Sequence, residues 1–337
     1  MPDNVATAGA SPASAGFNDG KPFASGQAQD DLSTMPRYAV IFRTHFWDEF
    51  VQRQFDRLLS KVGAGDLYVL VDETNGAVAG ISHDRVVRLT EHDVLAMGMA
   101  RAGEGNLLWF NGDYPLYYFE QTQQPYDYYL QLEYDVVLNM DTDPLIRQAA
   151  RDKADFVGLT KGEPVPEWAW LLTCRGVYPL DEIQYKLICL SVFSQRALLA
   201  LAARRIEMAE QLCNSVITAW PFCEGFIATE MAKSGFVSVE LTNYAETTAY
   251  DFWPPFVESD LPEMMGNPVI HPVLDRDRYI ASLLKFKVGM AGYINVNSLF
   301  HRKLRRLPVP EYFKAVGKSF SQKVVRTLRQ RRLIRAA

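Results

Sequence analysis

Two apolar, β-prone runs on either side of an amphipathic helix constrain the fold of this chain most. Residues 38–42 and 67–71 are continuous apolar segments, which is typical of strands buried on both faces of a parallel sheet. Between them, residues 47–61 place Phe50, Phe55 and Leu58 on one face of a helix. Strand, helix and strand in close succession form a βαβ unit, so the pattern predicts an α/β fold.

The same alternation continues through most of the chain. Further elements are predicted as strands at 85–89, 128–137, 155–159 and 187–193, and as helices at 115–123, 144–153, 195–212 and 217–235. Asp143 is the predicted N-cap of the helix at 144–153, and Ser194 that of the helix at 195–212. We therefore expect an open, mostly parallel sheet flanked by helices.

The two ends of the chain differ in composition from its middle. Residues 1–36 are rich in Ala, Ser, Gly, Pro and Asp, and they cannot bury enough apolar area to offset the entropy of ordering. We expect a disordered leader over 1–36, an α/β domain over 37–290 and a basic amphipathic tail over 291–337. Residues 301–337 contain twelve Lys and Arg but one acid, Glu311, a net charge of +11. The first 300 residues carry 23 basic and 39 acidic side chains, a net charge of -16.

Charge and cysteine usage exclude several classes of protein. The net charge of -5 for the whole chain argues against nucleic acid as its partner. The four cysteines form no C-x-x-C pair and no zinc-type spacing, so we expect buried thiols in a reducing compartment. The N-terminus lacks the pattern of a secretory signal, and no apolar run reaches the roughly 18 residues of a membrane span. These features predict a cytoplasmic protein.

The tail adds a membrane-surface prediction. Its apolar residues recur at roughly helical spacing among the basic ones, as in helices that lie on anionic membranes. We expect peripheral binding at the inner membrane face through residues 301–337. A helix that packs on the acidic domain is the alternative, and RNA binding is disfavoured because the tail has few aromatic residues for base stacking.

Polar clusters follow several of the predicted strands. They are Arg43-Thr44-His45, Asp72-Glu73, Asn111-Gly112-Asp113 and Glu133-Tyr134-Asp135. In open α/β sheets, ligands bind beyond the carboxyl ends of the strands. These clusters therefore predict a ligand site at one edge of the sheet.

Glu133 and Asp135 predict a metal site at that edge. Residues two apart in a strand point the same way, so the two carboxylates would repel each other and lose hydration. A divalent cation removes that penalty, and Mg²⁺ or Mn²⁺ is held by carboxylates together with substrate phosphates. The alternative is an exposed strand end, where the acids meet water or an arginine. Asp141 and Asp143 form a rival pair that fits a turn and a helix N-cap better.

The layout of these segments resembles the GT-A fold glycosyltransferases, in which a strand ends in a D-x-D-type motif that holds the metal of a nucleotide-sugar. Glu133-Tyr134-Asp135 matches as an E-x-D variant. Order and spacing over residues 37–275 support the resemblance, through the segments 42–44, 111–115, 128–136, 220–224 and 271–273. It implies a GT-A-like sheet and a Mn²⁺ or Mg²⁺ cofactor. Because Glu is one methylene longer than Asp, Glu133 would meet the metal directly or through water.

The resemblance also assigns residues to the donor. Arg43, Thr44 and Asp72 would face the nucleotide, and Asp113 would lie near the ribose or the donor sugar. His271 would be a third metal ligand or a diphosphate contact, with a turn histidine before a proline as the alternative.

On the acceptor side, the resemblance makes Glu224 the catalytic base or a hydrogen-bond partner of the acceptor sugar. An acid at a helix start is also favourable for the helix dipole alone, which is the competing explanation. Trp168, Trp170 and Trp253 lie in looser segments and are candidates for an acceptor platform, since sugars stack on aromatic faces. Most of the ten aromatic residues within 109–135 are expected in the core.

The expected function is therefore that of a metal-dependent glycosyltransferase of the hexosyltransferase type. It would move a sugar from a nucleotide-sugar donor to the hydroxyl of a glycan or lipid-linked acceptor. A nucleotidyltransferase is an alternative, although residues 42–45 lack the glycine of a phosphate-binding loop. A non-catalytic membrane-surface protein that acts through its tail is another.

Overall fold

The structure is a computed structural model that describes residues 35–160, 165–285 and 289–336, with side chains up to 325 except at 285 and 290. The leader expected over 1–36 lies outside the described residues apart from its last two positions. The described strands are β1 (Tyr38–Thr44), β2 (Asp66–Asp72), β3 (Val86–Leu89), β4 (Tyr128–Glu133), β5 (Val137–Leu138), β6 (Phe156–Leu159), β7 (Leu187–Ser194), β8 (Ser238–Glu240), β9 (Phe256–Val257), β10 (Val269–Ile270) and β11 (Val273–Leu274).

The α-helices alternate with these strands up to β7 and dominate the C-terminal part. They are α1 (Glu49–Leu59), α2 (Glu91–Ala96), α3 (Leu107–Phe110), α4 (Tyr114–Thr122), α5 (Thr142–Arg151), α6 (Leu171–Cys174), α7 (Gln195–Cys213), α8 (Cys223–Lys233), α9 (Arg276–Lys285), α10 (Met290–Ile294), α11 (Leu299–Leu304) and α12 (Val309–Ala336). In the described part of the chain, no helix combines the length and apolar character that crossing a bilayer requires.

Seven strands form the central sheet, in the order β3-β2-β1-β4-β7-β6-β8. Neighbours pair in parallel except at β7, which runs antiparallel to both β4 and β6. The predicted open, mostly parallel sheet flanked by helices is thus confirmed. Two further sheets have two strands each: β5 pairs with β10, and β9 pairs with β11.

The first βαβ unit forms as its sequence pattern predicts. Every residue of β1 is buried, and so is β2 after its first residue, because the sheet is covered on both faces. Helix α1 buries the predicted face with Phe50, Phe55 and Leu58. Asp48 caps its first turn by accepting a hydrogen bond of 3.0 Å from the Val51 N–H.

The central strand is shorter than predicted. Instead of continuing to residue 137, β4 ends at Glu133, and Tyr134 and Asp135 form a turn closed by the Val136 N–H on the Glu133 carbonyl. The chain then enters β5, which pairs with β10. The Val273 N–H donates to the Asp135 carbonyl at 2.8 Å. This turn therefore ties the end of β4 to the segment that contains His271.

Two predicted helix starts have different outcomes. Ser194 caps α7 by accepting from the Ala197 N–H, as predicted. Asp143 is not an N-cap: α5 begins at Thr142, and Asp141 occupies the cap position. The Asp143 carboxylate instead accepts hydrogen bonds from the Tyr38 hydroxyl and the Ala64 N–H, which joins α5 to the opposite end of β1 from the ligand edge.

The tail packs on the rest of the chain through a small apolar cluster. Tyr279 and Leu283 of α9 are buried together with Leu304 of α11 and Ala315 of α12. The described part of the tail is therefore helical and docked on α9. This is the packing alternative named above, and it leaves other faces of α12 exposed.

Candidate functional site

The candidate site lies where the strand order of the sheet reverses. β1 has β2 on one side and β4 on the other, and Arg43 near the end of β1 is in register with Glu133 at the end of β4. In open α/β sheets, the crevice outside the carboxyl ends at such a switch point is the usual ligand site. The polar residues that follow β1 and β4 are placed there by topology.

A cavity of about 560 Å³ opens beside the end of β4, between it and the start of β7. That volume is within the range of small-molecule sites, roughly 300–1,000 Å³. Its polar lining includes Glu133, Asp135, Glu224 and His271, which come from three separate segments of the sequence. The structure therefore brings together the three predicted metal ligands and the predicted catalytic residue.

Arg43 forms an ion pair with Glu133 and is not among the described residues that line the cavity. Its side chain is fully buried, and its Nη2 donates to Glu133 Oε1 at 2.9 Å. Its Nη1 donates to the Gly112 carbonyl. The predicted nucleotide contact is thus replaced by a positioning role. Glu133 retains about a quarter of its side-chain surface exposed.

Asp135 is a buried carboxylate with incomplete compensation. Its Oδ1 is buried and has no hydrogen-bond donor among the described residues. Burial raises the pKa of Asp135 to about 7, against the opposing effects of its own backbone N–H and of Arg43. Burial likewise raises the pKa of Glu133; Arg43 and His271 lower it, and the charge of Asp135 raises it. The net effect of these charges and of burial leaves both carboxylate pKa values raised.

His271 is oriented by its backbone surroundings. It lies between β10 and β11, and its Nδ1 is 2.6 Å from the Asp251 carbonyl oxygen. A carbonyl only accepts hydrogen bonds, so Nδ1 carries the proton, and in the neutral ring Nε2 has a lone pair. That Nε2 is 3.6 Å from Asp135 Oδ1. At this distance either a proton on Nε2 or a bound cation can lie between the two atoms.

Cys189 is a cavity residue that sequence reasoning did not select. Its sulfur, a Glu133 oxygen and a His271 nitrogen all lie within 4.8 Å of one another. Burial raises the pKa of the Cys189 thiol well above its usual value, and the charges of Glu133 and Glu224 raise it further. Metal coordination requires a thiolate, so the raised pKa makes Cys189 a weaker candidate ligand than the carboxylates in the absence of a bound cation.

The donor set accordingly fits a hard divalent cation. Asp135 offers a buried oxygen without a donor, His271 an imidazole nitrogen in the required tautomer, and Glu133 a second carboxylate. Oxygen ligands with one imidazole suit Mn²⁺ better than Mg²⁺, which prefers oxygen alone. The tautomer of His271 is fixed by a backbone carbonyl, as is common for metal-ligating histidines.

Thr44 and Asp72 build the edge of the sheet rather than the cavity. Thr44 is fully buried, and its hydroxyl donates to the Phe46 carbonyl at 2.6 Å. The Asp72 carboxylate accepts from the N–H groups of Thr74 and Leu107. Their polar groups are used in local turns, and neither is among the described residues that line the cavity. The placement does not support the predicted nucleotide contacts.

Asp113 lies in the core, contrary to the prediction that it meets the ribose or the donor sugar. Both Asp113 and Arg205 are fully buried, and they form an ion pair of 2.7 Å. The Arg205 guanidinium also donates to the Pro221 carbonyl at 3.2 Å and lies 3.7 Å from the centre of the Phe226 ring. This charge pair joins α4, α7 and the start of α8.

An aromatic wall lines the other side of the cavity. Trp168 is stacked on Tyr185 with ring centres 4.7 Å apart, and Trp170 is stacked on Phe222 at 4.5 Å. Both tryptophans line the cavity, whereas Trp253 packs against the apolar cluster of the tail.

Trp109 belongs to the same wall but was grouped with the core aromatics by the sequence pattern. It is 63% exposed and meets Trp170 edge-on at 6.1 Å. Helix α3, which carries it, has four residues, so no periodicity marks which side faces out.

Glu224 lies in the first turn of α8 and lines the cavity. The helix dipole favours the ionised carboxylate at that position. The charge of Glu224 contributes to the raised pKa of the Cys189 thiol, so Glu224 lies near Cys189 in the cavity.

Comparisons with known proteins add no family. No protein-family model matches the chain, and none of the curated proteins matches it either. The function of the chain is therefore inferred from the geometry of the cavity.

Proposed function

We propose that this chain is a metal-dependent glycosyltransferase that takes a sugar from a nucleotide diphosphate donor to a hydroxyl acceptor. The observation that supports it most is the meeting of Glu133, Asp135 and His271 in a cavity beside the end of β4. An acidic turn directly after the central strand is also the feature on which the GT-A resemblance depends.

Asp135 and His271 would hold the cation, with Glu133 binding it directly or through water because one of its oxygens already accepts from Arg43. When bound, the cation would neutralise the donor diphosphate and assist its departure. Arg43 and the Asp251 carbonyl keep Glu133 and His271 in place before the ligand arrives. Such preorganisation avoids reorientation during the reaction.

The acceptor side of the cavity contains a base and stacking surfaces. Glu224 would accept the proton of the attacking hydroxyl, and the dipole at the start of α8 favours a negatively charged side chain there. The exposed ring of Trp109 and the stacked pair of Trp170 and Phe222 offer aromatic faces to a sugar. A glycan or a lipid-linked sugar is the acceptor class that fits this wall.

A nucleotidyltransferase has less support from the same region. Such enzymes use a phosphate-binding loop after the first strand, often with a helix N-terminus that binds the anion. Here the first turn of α1 begins with Asp48 and Glu49, whose negative charges repel phosphate.

The test is thermal protection by nucleotides. UDP and GDP, each near a hundred times its Kd with Mn²⁺, should raise the Tm of the wild type by about 5 °C, and should not do so in EDTA. Asp135→Asn should abolish the metal-dependent protection. Asp141→Asn is the matched control, since Asp141 is an exposed acid outside the cavity.

Equal protection in EDTA, or full protection of Asp135→Asn, would contradict the metal assignment. A screen of nucleotide-sugars for Mn²⁺-dependent release of free sugar then identifies the donor. Pyrophosphate release from a nucleoside triphosphate with a sugar phosphate would instead indicate a nucleotidyltransferase.

A further inference from the structure

Helix α12 uses one of its faces to pack on the protein. Ala315 is buried against α9 and α11, and the buried Ser319 hydroxyl is 2.6 Å from the Tyr293 hydroxyl of α10. Successive turns of one side of α12 are thereby fixed to the neighbouring helices. The orientation of the remaining faces follows from this contact.

A neighbouring face of α12 exposes an apolar stripe. Val309, Phe313, Phe320 and Val324 are spaced by four, seven and four residues, which places them on one side of the helix. Phe313 is 66% exposed and Phe320 is 42% exposed. We call these four residues the exposed stripe. Contiguous exposed apolar side chains on a soluble surface mark an interaction site.

The apolar surface extends beyond α12. The Tyr293 ring meets Phe320 at 5.6 Å, and Ile294, directly after Tyr293, is largely exposed. Val296 and Leu299, in the connection to α11 and at its start, are exposed as well. Two adjacent segments of the tail therefore present apolar side chains to solvent.

The tail also carries positive charge. Lys314 and Lys318 are exposed on α12, and residues 301–337 together contain twelve basic residues against Glu311. Both lysines lie more than a quarter turn around the helix from the exposed stripe and line the cleft between α12 and α9. A basic helix that exposes aromatic and aliphatic side chains is the combination that binds an anionic bilayer surface.

The geometry points to the surface of an anionic phospholipid bilayer as the partner: we propose that the exposed stripe inserts at the lipid interface while the positive charge of the tail, including Lys314 and Lys318, attracts the anionic surface. RNA is a poorer fit because base stacking needs a platform of several aromatic rings. The described tail from residue 301 exposes Phe313 and Phe320 as its large aromatic surfaces.

Docking would also bring the cavity toward the membrane. Ser282 of α9 lines the cavity, and the adjacent Leu283 packs against the tail helices. One helix thus separates the two surfaces. A lipid-linked acceptor would benefit from this arrangement, and that consequence depends on the proposed function, whereas bilayer binding itself does not.

The test is co-sedimentation of the full chain with vesicles in EDTA and without nucleotide, so that its result is independent of the proposed enzyme activity. Vesicles of phosphatidylcholine with phosphatidylglycerol should bind at least tenfold more tightly than phosphatidylcholine alone, and binding should weaken from 0.1 to 0.5 M salt. Phe313→Glu with Phe320→Glu should reduce binding at least tenfold. Lys314→Glu with Lys318→Glu should reduce it about fivefold or more.

The matched control is Leu172→Glu with Val216→Glu, two comparably exposed apolar residues of the main domain. This variant should bind vesicles like the wild type, and all variants should keep the wild-type Tm. Equal binding to neutral and anionic vesicles, or wild-type binding by the phenylalanine variant, would overturn the proposal. Binding of a single-stranded RNA oligomer more tightly than anionic vesicles would do the same.

Discussion

Two buried charge clusters in this molecule are compensated to different degrees. Asp113 and Arg205 form a fully buried pair, and the guanidinium is further satisfied by a carbonyl oxygen and an aromatic ring. Near the end of β4, Glu133 and Asp135 share the charge of Arg43, and the pKa of Asp135 is raised to about 7.

The difference is the basis for proposing a binding site at the second cluster and not at the first. A protein that buries charge for stability pairs it internally, since an unpaired buried charge is costly. Asp113 and Arg205 form a direct ion pair, although Asp113 Oδ1 accepts no hydrogen bond among the described residues, and neither residue is among those that line the cavity described above. By contrast, Glu133 and Asp135 share one arginine, line the cavity and have a histidine nitrogen beside them. Missing positive charge at that position is what a site for a cation should show.

Breaking the compensated pair should have the largest effect on stability. Arg205→Ala leaves Asp113 buried without its partner, so the free energy of unfolding should fall by about 3–5 kcal/mol. Urea unfolding measures it. Arg204→Ala is the control, because the adjacent Arg204 is partly exposed and should contribute about 1 kcal/mol or less. Equal losses for both variants would show that full burial of the pair is not the cause.

Neutralising Asp135 should instead raise the stability of the folded protein. In EDTA at pH 8, Asp135→Asn should raise the free energy of unfolding by about 1–3 kcal/mol, because the wild type then buries a charged carboxylate. The folded-state pKa of about 7 lies above the ordinary value of about 4. The folded state therefore binds the proton more tightly, and wild-type stability from this group is lost as the pH rises from about 4 to about 7.

The pH dependence provides the control for this prediction. Between pH 8 and pH 6 the wild-type carboxyl becomes protonated in the folded state, so the advantage of Asp135→Asn should shrink by about 1 kcal/mol. Taking the difference between variant and wild type cancels the titration of other groups. A difference that stays constant from pH 8 to pH 6 would refute the raised pKa.

The smallest effect on stability is expected at the aromatic wall. Trp109→Ala removes an exposed ring, so the free energy of unfolding should change by about 0.5 kcal/mol or less. If sugars stack on this ring, transfer to the acceptor should fall about tenfold through a higher acceptor KM. Metal-dependent hydrolysis of the donor without acceptor should be unchanged. Loss of hydrolysis to the same extent would place Trp109 on the donor side.

Local pattern was sufficient to predict most of the fold. The βαβ unit at residues 38–72 follows from apolar runs and helical spacing, and Ser194 is recognisable as a cap from its own neighbourhood. The end of β4 was not predictable in this way. Val136 and Val137 are apolar, so the sequence suggests that the strand continues past Glu133. In the structure β5 pairs with the distant β10 and is not part of the central sheet.

The site shows the same limit. Glu133, Asp135 and His271 were found because two acids beside an apolar strand are unusual and the family resemblance supplied the histidine. The family resemblance assigned Asp113 to the donor. Its ion-pair partner Arg205 lies 92 residues away, so the local sequence gave no sign that Asp113 is a core residue. Cys189 is hidden in an apolar strand, where a thiol is an ordinary core residue.

Calorimetric titration of Mn²⁺ into the metal-free protein tests the central claim most directly. The wild type should bind one Mn²⁺ without nucleotide, Asp135→Asn should bind it at least about tenfold more weakly, and Asp141→Asn should match the wild type. Equal Mn²⁺ affinity in the wild type and Asp135→Asn would contradict the account, since the acidic turn after β4 would then not be a cation site.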